Sequence, residues 1–199
     1  MPRLNISKIF LTFLLFLTAS SNSLAKSPSD LISGIVDEAA SILSSGIGDE
    51  DKINKLNTIA ENNVDIKGIG FYTLGVKRKS LNDEEKKNYT KLFEVYFLKS
   101  FSSRLAEYTN PEIDVINKEK LNDNYTIVNS VLKATNERPE INIDWRIYTK
   151  DPDNPQIRDL IIEGLSLART QKEEFASVLS SNDNDIQALF RVLKEFSNN

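Results

Sequence analysis

Asn82 to Tyr108 reads NDEEKKNYTKLFEVYFLKSFSSRLAEY, and the fold follows from its spacing. Leu92, Phe93, Tyr96, Phe97, Phe101, Leu105 and Tyr108 recur at steps of three and four, so one side of a 3.6-period helix is apolar and largely aromatic. Glu84, Lys87, Lys91, Glu94 and Lys99 fall on the opposite side. Asn82 with Glu85 three residues later has the acceptor and the reach-back carboxylate of a helix start, which puts the first turn at Asp83. At about 1.5 Å per residue such a helix is roughly 39 Å long. A helix of that length must be covered by apolar surface, either as an ordinary core helix under a sheet or as one wall of a hollow.

Upstream, Arg3 and Lys8 precede the apolar run Ile9 to Leu17, and Ser23-Leu24-Ala25 supplies small residues at the positions a signal peptidase reads. The expectation is a signal peptide at residues 1–25, cleaved before Lys26, and a single exported domain at residues 26–199. The apolar run is shorter than the about 20 residues a membrane span needs. Without a cysteine to acylate, no lipoprotein anchor is expected. The formal net charge of −4 becomes more negative once Arg3 and Lys8 are removed, which argues against nucleic-acid binding. The chain has no histidine and no cysteine. Ser-His catalysis, thiol nucleophiles and most zinc, copper or haem sites are thereby excluded, and carboxylates, lysine and tyrosine remain.

Along the rest of the chain, Ile32, Ile35, Val36, Ala39, Ile42 and Leu43 predict a helix from Pro28-Ser29 to Gly46. A second opens at Asp49, and Asp65 caps a third over Ile66 to Leu74, ended by Gly75. These three are expected to pack against the long helix. The basic run Lys77-Arg78-Lys79 reads as a loop. Beyond the turn Thr109-Asn110-Pro111 the period becomes two, with strands starting at Ile113, spanning Tyr125–Leu132 and Ile141–Tyr148, and running from Ile157 to Leu165. Helices over Ser166–Leu179 and Ile186–Phe196 close the chain. The layout is α+β: helices packed on a curved antiparallel sheet of about four strands.

Candidate chemistry is sparse. Asp151-x-Asp153 and Asp183-x-Asp185 suggest calcium loops, yet Pro155 and Gln187 stand at the fifth position and the required glycine and twelfth-position glutamate are missing. Asp144 and Glu163 are possible bases near apolar strand faces, with Tyr96 as an electrophile. They define the alternative reading, a cone-fold enzyme acting on an apolar substrate.

Glu163-Gly-Leu-Ser-Leu167, followed by Gln171 and by Phe175-Ala-Ser-Val-Leu179, resembles the MlaC-like family, periplasmic phospholipid-binding auxiliary components of an ABC transport system of the toluene-tolerance type. Asp65 with Leu74-Gly75, Ser103 to Tyr108 and Ile141 to Arg146 fit the same pattern, so the resemblance runs from about Asp65 to Phe196. It implies an apolar cavity between helices and sheet that holds phospholipid acyl chains. It further implies a periplasmic carrier, not an enzyme, that shuttles lipid between outer- and inner-membrane complexes in support of outer-membrane lipid asymmetry. The implied partners are phospholipid, an inner-membrane ABC transporter complex with its MCE-domain subunit, and an outer-membrane lipoprotein complex. No metal or cofactor is expected beyond the lipid cargo. The expected lining is Phe71, Leu74, Phe93, Phe97, Phe101, Ile143, Trp145, Ile147, Ile161, Leu165 and Phe175.

Overall fold

The computed structural model describes residues 27–106, 108 and 110–198. The expected signal peptide lies outside them, as does Thr109 of the expected turn. Among the described residues there are six α-helices and five strands: α1 (Pro28–Ser44), α2 (Asp49–Asn63), α3 (Ile66–Thr73), α4 (Asp83–Ala106), β1 (Ile113–Asn122), β2 (Tyr125–Leu132), β3 (Ile141–Tyr148), β4 (Gln156–Ile162), β5 (Leu165–Ser166), α5 (Leu167–Ser180) and α6 (Ile186–Asn198). A short 3-10 turn, Gly75–Lys79, joins α3 to α4 and carries the basic run, with Gly75 in the left-handed region at φ 55°. The strands form one antiparallel sheet in sequence order, so the α+β layout holds with one strand more than expected.

Local chemistry sets the helix starts. The Asn82 Oδ1 accepts from the Glu85 backbone N–H at 2.9 Å and the Glu85 carboxylate accepts from the Asn82 N–H at 2.9 Å, a reciprocal capping box for α4. Asp65 caps α3 by accepting from Gly68 N–H at 2.8 Å, and the same carboxylate pairs with Arg158 of β4 at 2.6 Å. One side chain thus starts a helix and ties it to the sheet.

The expected fourth strand divides. Glu163 and Gly164 both take positive φ, 48° and 79°, and turn the chain back from β4 into the two-residue β5. Strands β3 and β4 also slip register between Arg146 and Ile147, where Arg146 pairs with Asp159 but Ile147 pairs with Ile157. Arg158 is therefore an extra residue, a bulge that exchanges the two faces of β4 beyond it.

Apolar burial divides into two clusters. The first joins α1 and α2 to the inner face of β2, β3 and β4 through Ile32, Leu56, Val128 and Ile147. The second joins α3, α5 and α6 to the first half of α4 through Leu74, Tyr89, Phe93, Phe175 and Leu189. Helix α4 crosses from the second cluster to the first, because Leu105 in its last turn and Tyr108 just beyond it pack against the sheet cluster.

Candidate functional site

The two clusters do not meet along their whole length, and between them lies a cavity of about 360 Å³. Ile35, Val36, Ala39 and Leu43 of α1 and Leu56, Ile59 and Ala60 of α2 form one side. Phe97, Phe101 and Leu105 of α4 form a second, and Leu132, Ile143, Trp145, Leu160 and Ile162 the sheet floor. Alanines at positions 39, 40 and 60 leave volume that larger side chains on the same stripes would fill.

Polar groups at the floor are satisfied within the protein. Trp145 Nε1 donates to Ser130 Oγ at 2.8 Å, and that hydroxyl donates to the Ile143 carbonyl at 3.0 Å. The indole therefore has its one donor spent and presents hydrocarbon to the cavity. Asp159 borders the cavity, but its Oδ2 accepts from Arg146 Nη1 at 3.2 Å and Ser166 Oγ at 2.6 Å, and its Oδ1 from the Ala168 N–H at 3.0 Å. Its charge fixes the start of α5 onto β4. The arrangement suits an uncharged, chain-like ligand: burying apolar surface is favourable, and no polar group in the floor is left wanting a partner.

One edge is different. Tyr96, Ser100 and Arg104, spaced four apart on α4, face Thr170, Gln171 and Glu174 of α5. Tyr96 Oη donates to Gln171 Oε1 at 2.7 Å, and Gln171 Nε2 donates to Glu174 Oε2 at 2.9 Å. The Tyr96 pKa is raised chiefly by burial and further by the Glu174 carboxylate, opposed by hydrogen bonding to Ser100 and Gln171 and by Arg104. Tyr96 is a neutral phenol here, a hydrogen-bonding group rather than a base.

Of the eleven residues expected to line a cavity, Phe93, Phe97, Phe101, Ile143 and Trp145 do border it. The others lie elsewhere. Leu74 and Phe175 are buried in the second cluster, Phe175 edge-on to Phe93 at 6.3 Å, and Phe71 packs against that cluster. Ile147 is buried in the sheet cluster. Ile161 sits opposite Asp144, on the face away from Trp145, and Leu165 is 58% exposed beyond the Glu163-Gly164 turn. Period-two counting from Ile157 assigns Ile161 and Leu165 to the inner face; the Arg158 bulge gives those places to Leu160 and Ile162. The α1 and α2 residues went unassigned by sequence, although the small side chains on their stripes were a readable sign of unfilled volume.

The two carboxylates of the enzyme alternative are not on the cavity. Asp144 accepts from Asn129 Nδ2 at 2.7 Å, and exposed Glu163 accepts from the Asn142 backbone N–H. Among the described residues no three acidic side chains cluster as a metal site.

A family model described as MlaC protein matches residues 34–195, from within α1 to within α6. The chain belongs to the MlaC family. Every strand of the sheet and every residue bordering the cavity falls inside the MlaC match. Among solved structures, the chain is similar to the phospholipid-binding protein from Ralstonia solanacearum in complex with a phospholipid, with a TM-score of 0.73 and 18% identity. The alignment covers 87% of this chain and 98% of that one, so the MlaC fold is common to both along nearly their full length.

Proposed function

We propose that this protein is an exported carrier that holds the acyl chains of a phospholipid in the cavity between α1, α2, α4 and the sheet. The observation that carries the reading is the cavity itself: apolar on three sides, with its Trp145 donor and Asp159 acceptors already used inside the protein. Membership of the MlaC family and a shared fold with a protein crystallised with phospholipid support it.

Energetics then shape the mechanism. Two chains of about 16 carbons at ~0.8 kcal/mol per methylene are worth on the order of 20 kcal/mol relative to water when fully buried, and the length that the cavity encloses keeps a large share of that. Spontaneous release into solvent is negligible, whereas passage between two apolar environments is close to neutral. Transfer therefore needs a docked partner, an inner-membrane ABC transporter complex with an MCE-domain subunit at one end and an outer-membrane lipoprotein complex at the other. This chemistry needs no nucleophile, metal or histidine. Phe93, Phe97, Phe101, Ile143 and Trp145 are the proposed chain contacts; Phe71, Leu74, Ile147 and Phe175 hold the walls in place.

Native mass spectrometry of the protein purified from the periplasm without added lipid tests the reading. The expected result is stoichiometric phospholipid, lost in Phe97→Asp and Trp145→Asp with secretion intact. An empty wild-type protein, or undiminished lipid in both variants, contradicts it.

A further inference from the structure

The polar edge of the cavity carries more information than its floor. Three charged residues border the cavity: Arg104, Asp159 and Glu174. Asp159 is committed to Arg146, Ser166 and the α5 backbone, which leaves one cation on α4 and one anion on α5, both exposed, at the same mouth. They form no ion pair with each other, although each acts on the phenol of Tyr96 between them.

The Tyr96–Gln171–Glu174 chain fixes the polarity of this edge. An amide has one donor end and one acceptor end, and a carboxylate only accepts, so the Gln171 NH₂ must point at Glu174 and its carbonyl at Tyr96. Turning the amide over would set its carbonyl against the carboxylate. Oε2 of Glu174 takes the amide, and Oε1 has no protein donor among the described residues. Arg104 follows Tyr96 and Ser100 at four-residue steps on α4, so all three share one face of the helix and border the cavity together.

We propose that this mouth selects zwitterionic phospholipid headgroups, the phosphate lying against Arg104 and the ammonium against Glu174. The inference rests on the carrier reading above and adds headgroup class to it. A headgroup with an amine meets both charges with their complements. An anionic glycerol headgroup gains Arg104 but brings its phosphate beside the Glu174 carboxylate with nothing to offset it. Both positions are partly solvated, so the preference is a modest bias and not an absolute filter.

The test offers purified, lipid-stripped protein vesicles of ethanolamine and glycerol phospholipids in equal amounts with identical acyl chains, and reads the headgroup ratio of the bound lipid by mass spectrometry. Wild type is expected to enrich the ethanolamine lipid about threefold, the scale of one exposed ion pair. Glu174→Gln should bring the ratio toward that supplied, and Glu174→Lys should reverse it in favour of the glycerol lipid. Capture by wild type in the supplied ratio, or a ratio unmoved in Glu174→Lys, overturns the proposal. Failure to capture either lipid is a different result: it contradicts the carrier reading itself.

Discussion

The two halves of α4 have similar sequences and different surroundings. From Tyr89 to Phe93 the helix is sealed between α3, α5 and α6: Tyr89 is 1% and Phe93 2% exposed, and both rings lie against aromatic neighbours, Phe190 and Phe175. From Phe97 to Leu105 its rings are only half-buried, Phe97 and Phe101 stacking on each other at 5.9 Å beside the cavity. The first half is packed nearly solid, with only the Phe93 ring reaching the edge of the cavity, and the second borders space along its length. Identical residue types thus serve as core in one place and wall in the other, and the neighbours decide which.

The sharpest way to break this contrast is to truncate one ring in each half. Phe93→Ala should cost about 3–5 kcal/mol, since the ring is 2% exposed and held by Tyr89, Tyr96, Phe97 and Phe175, which cannot all collapse into the void. Phe101→Ala already faces a cavity and should cost under about 1.5 kcal/mol, half or less of the lower figure. Urea denaturation of both variants measures the difference, and equal losses would erase the distinction.

Gly70→Ala probes the solid half from the other direction. A methyl group there would meet Phe93 Cδ1 at 2.8 Å, so overpacking of about 1–3 kcal/mol should outweigh the ~1 kcal/mol that alanine gains as a helix former. Net stabilisation would mean that the Phe93 ring moves more freely than the packing indicates.

Alkaline pH separates the halves without altering volume. Burial raises the Tyr89 pKa well above the ordinary tyrosine value, opposed by its hydrogen bond to Thr73 and helped by Tyr96. The raised group contributes stability that is complete below the unfolded pKa and lost as pH rises from about 10 toward the folded value, at up to about 1.4 kcal/mol per pH unit. Tyr89→Phe should remove more of that loss than Tyr96→Phe, whose phenol is less buried. Stability measured from pH 8 to 11 reads the slopes. The smallest effect belongs to the cap: Glu85→Ala removes one of the two capping-box bonds and should cost about 0.5–1 kcal/mol, uniformly and with no change in lipid binding.

Legibility in the sequence followed the range of the forces involved. The start of α4 was readable because Asn82 and Glu85 act within one turn, and Asp65 and Ser166 announce α3 and α5 in the same way. The period-two run Ile141 to Tyr148 gave both strand and inward face of β3. The face of β4 beyond Arg158 was not readable, because a bulge depends on the neighbouring strand. Nor could periodicity divide Phe93 from Phe101, since the same spacing serves a ring enclosed by four aromatic neighbours and a half-buried ring beside open space. The polar edge needed the fold as well, bringing Tyr96 and Gln171 together from distant parts of the chain.

Trp145 is the sole tryptophan of the chain and borders the cavity, so it reports directly on what enters. Loading lipid-stripped protein with phospholipid brominated along the acyl chains should quench Trp145 fluorescence strongly, because bromine quenches only on close contact, while a headgroup-brominated lipid should quench far less. Unchanged emission with brominated chains, at a loading shown to be stoichiometric, would mean that the chains lie elsewhere and that the space beside the second half of α4 is not the lipid site.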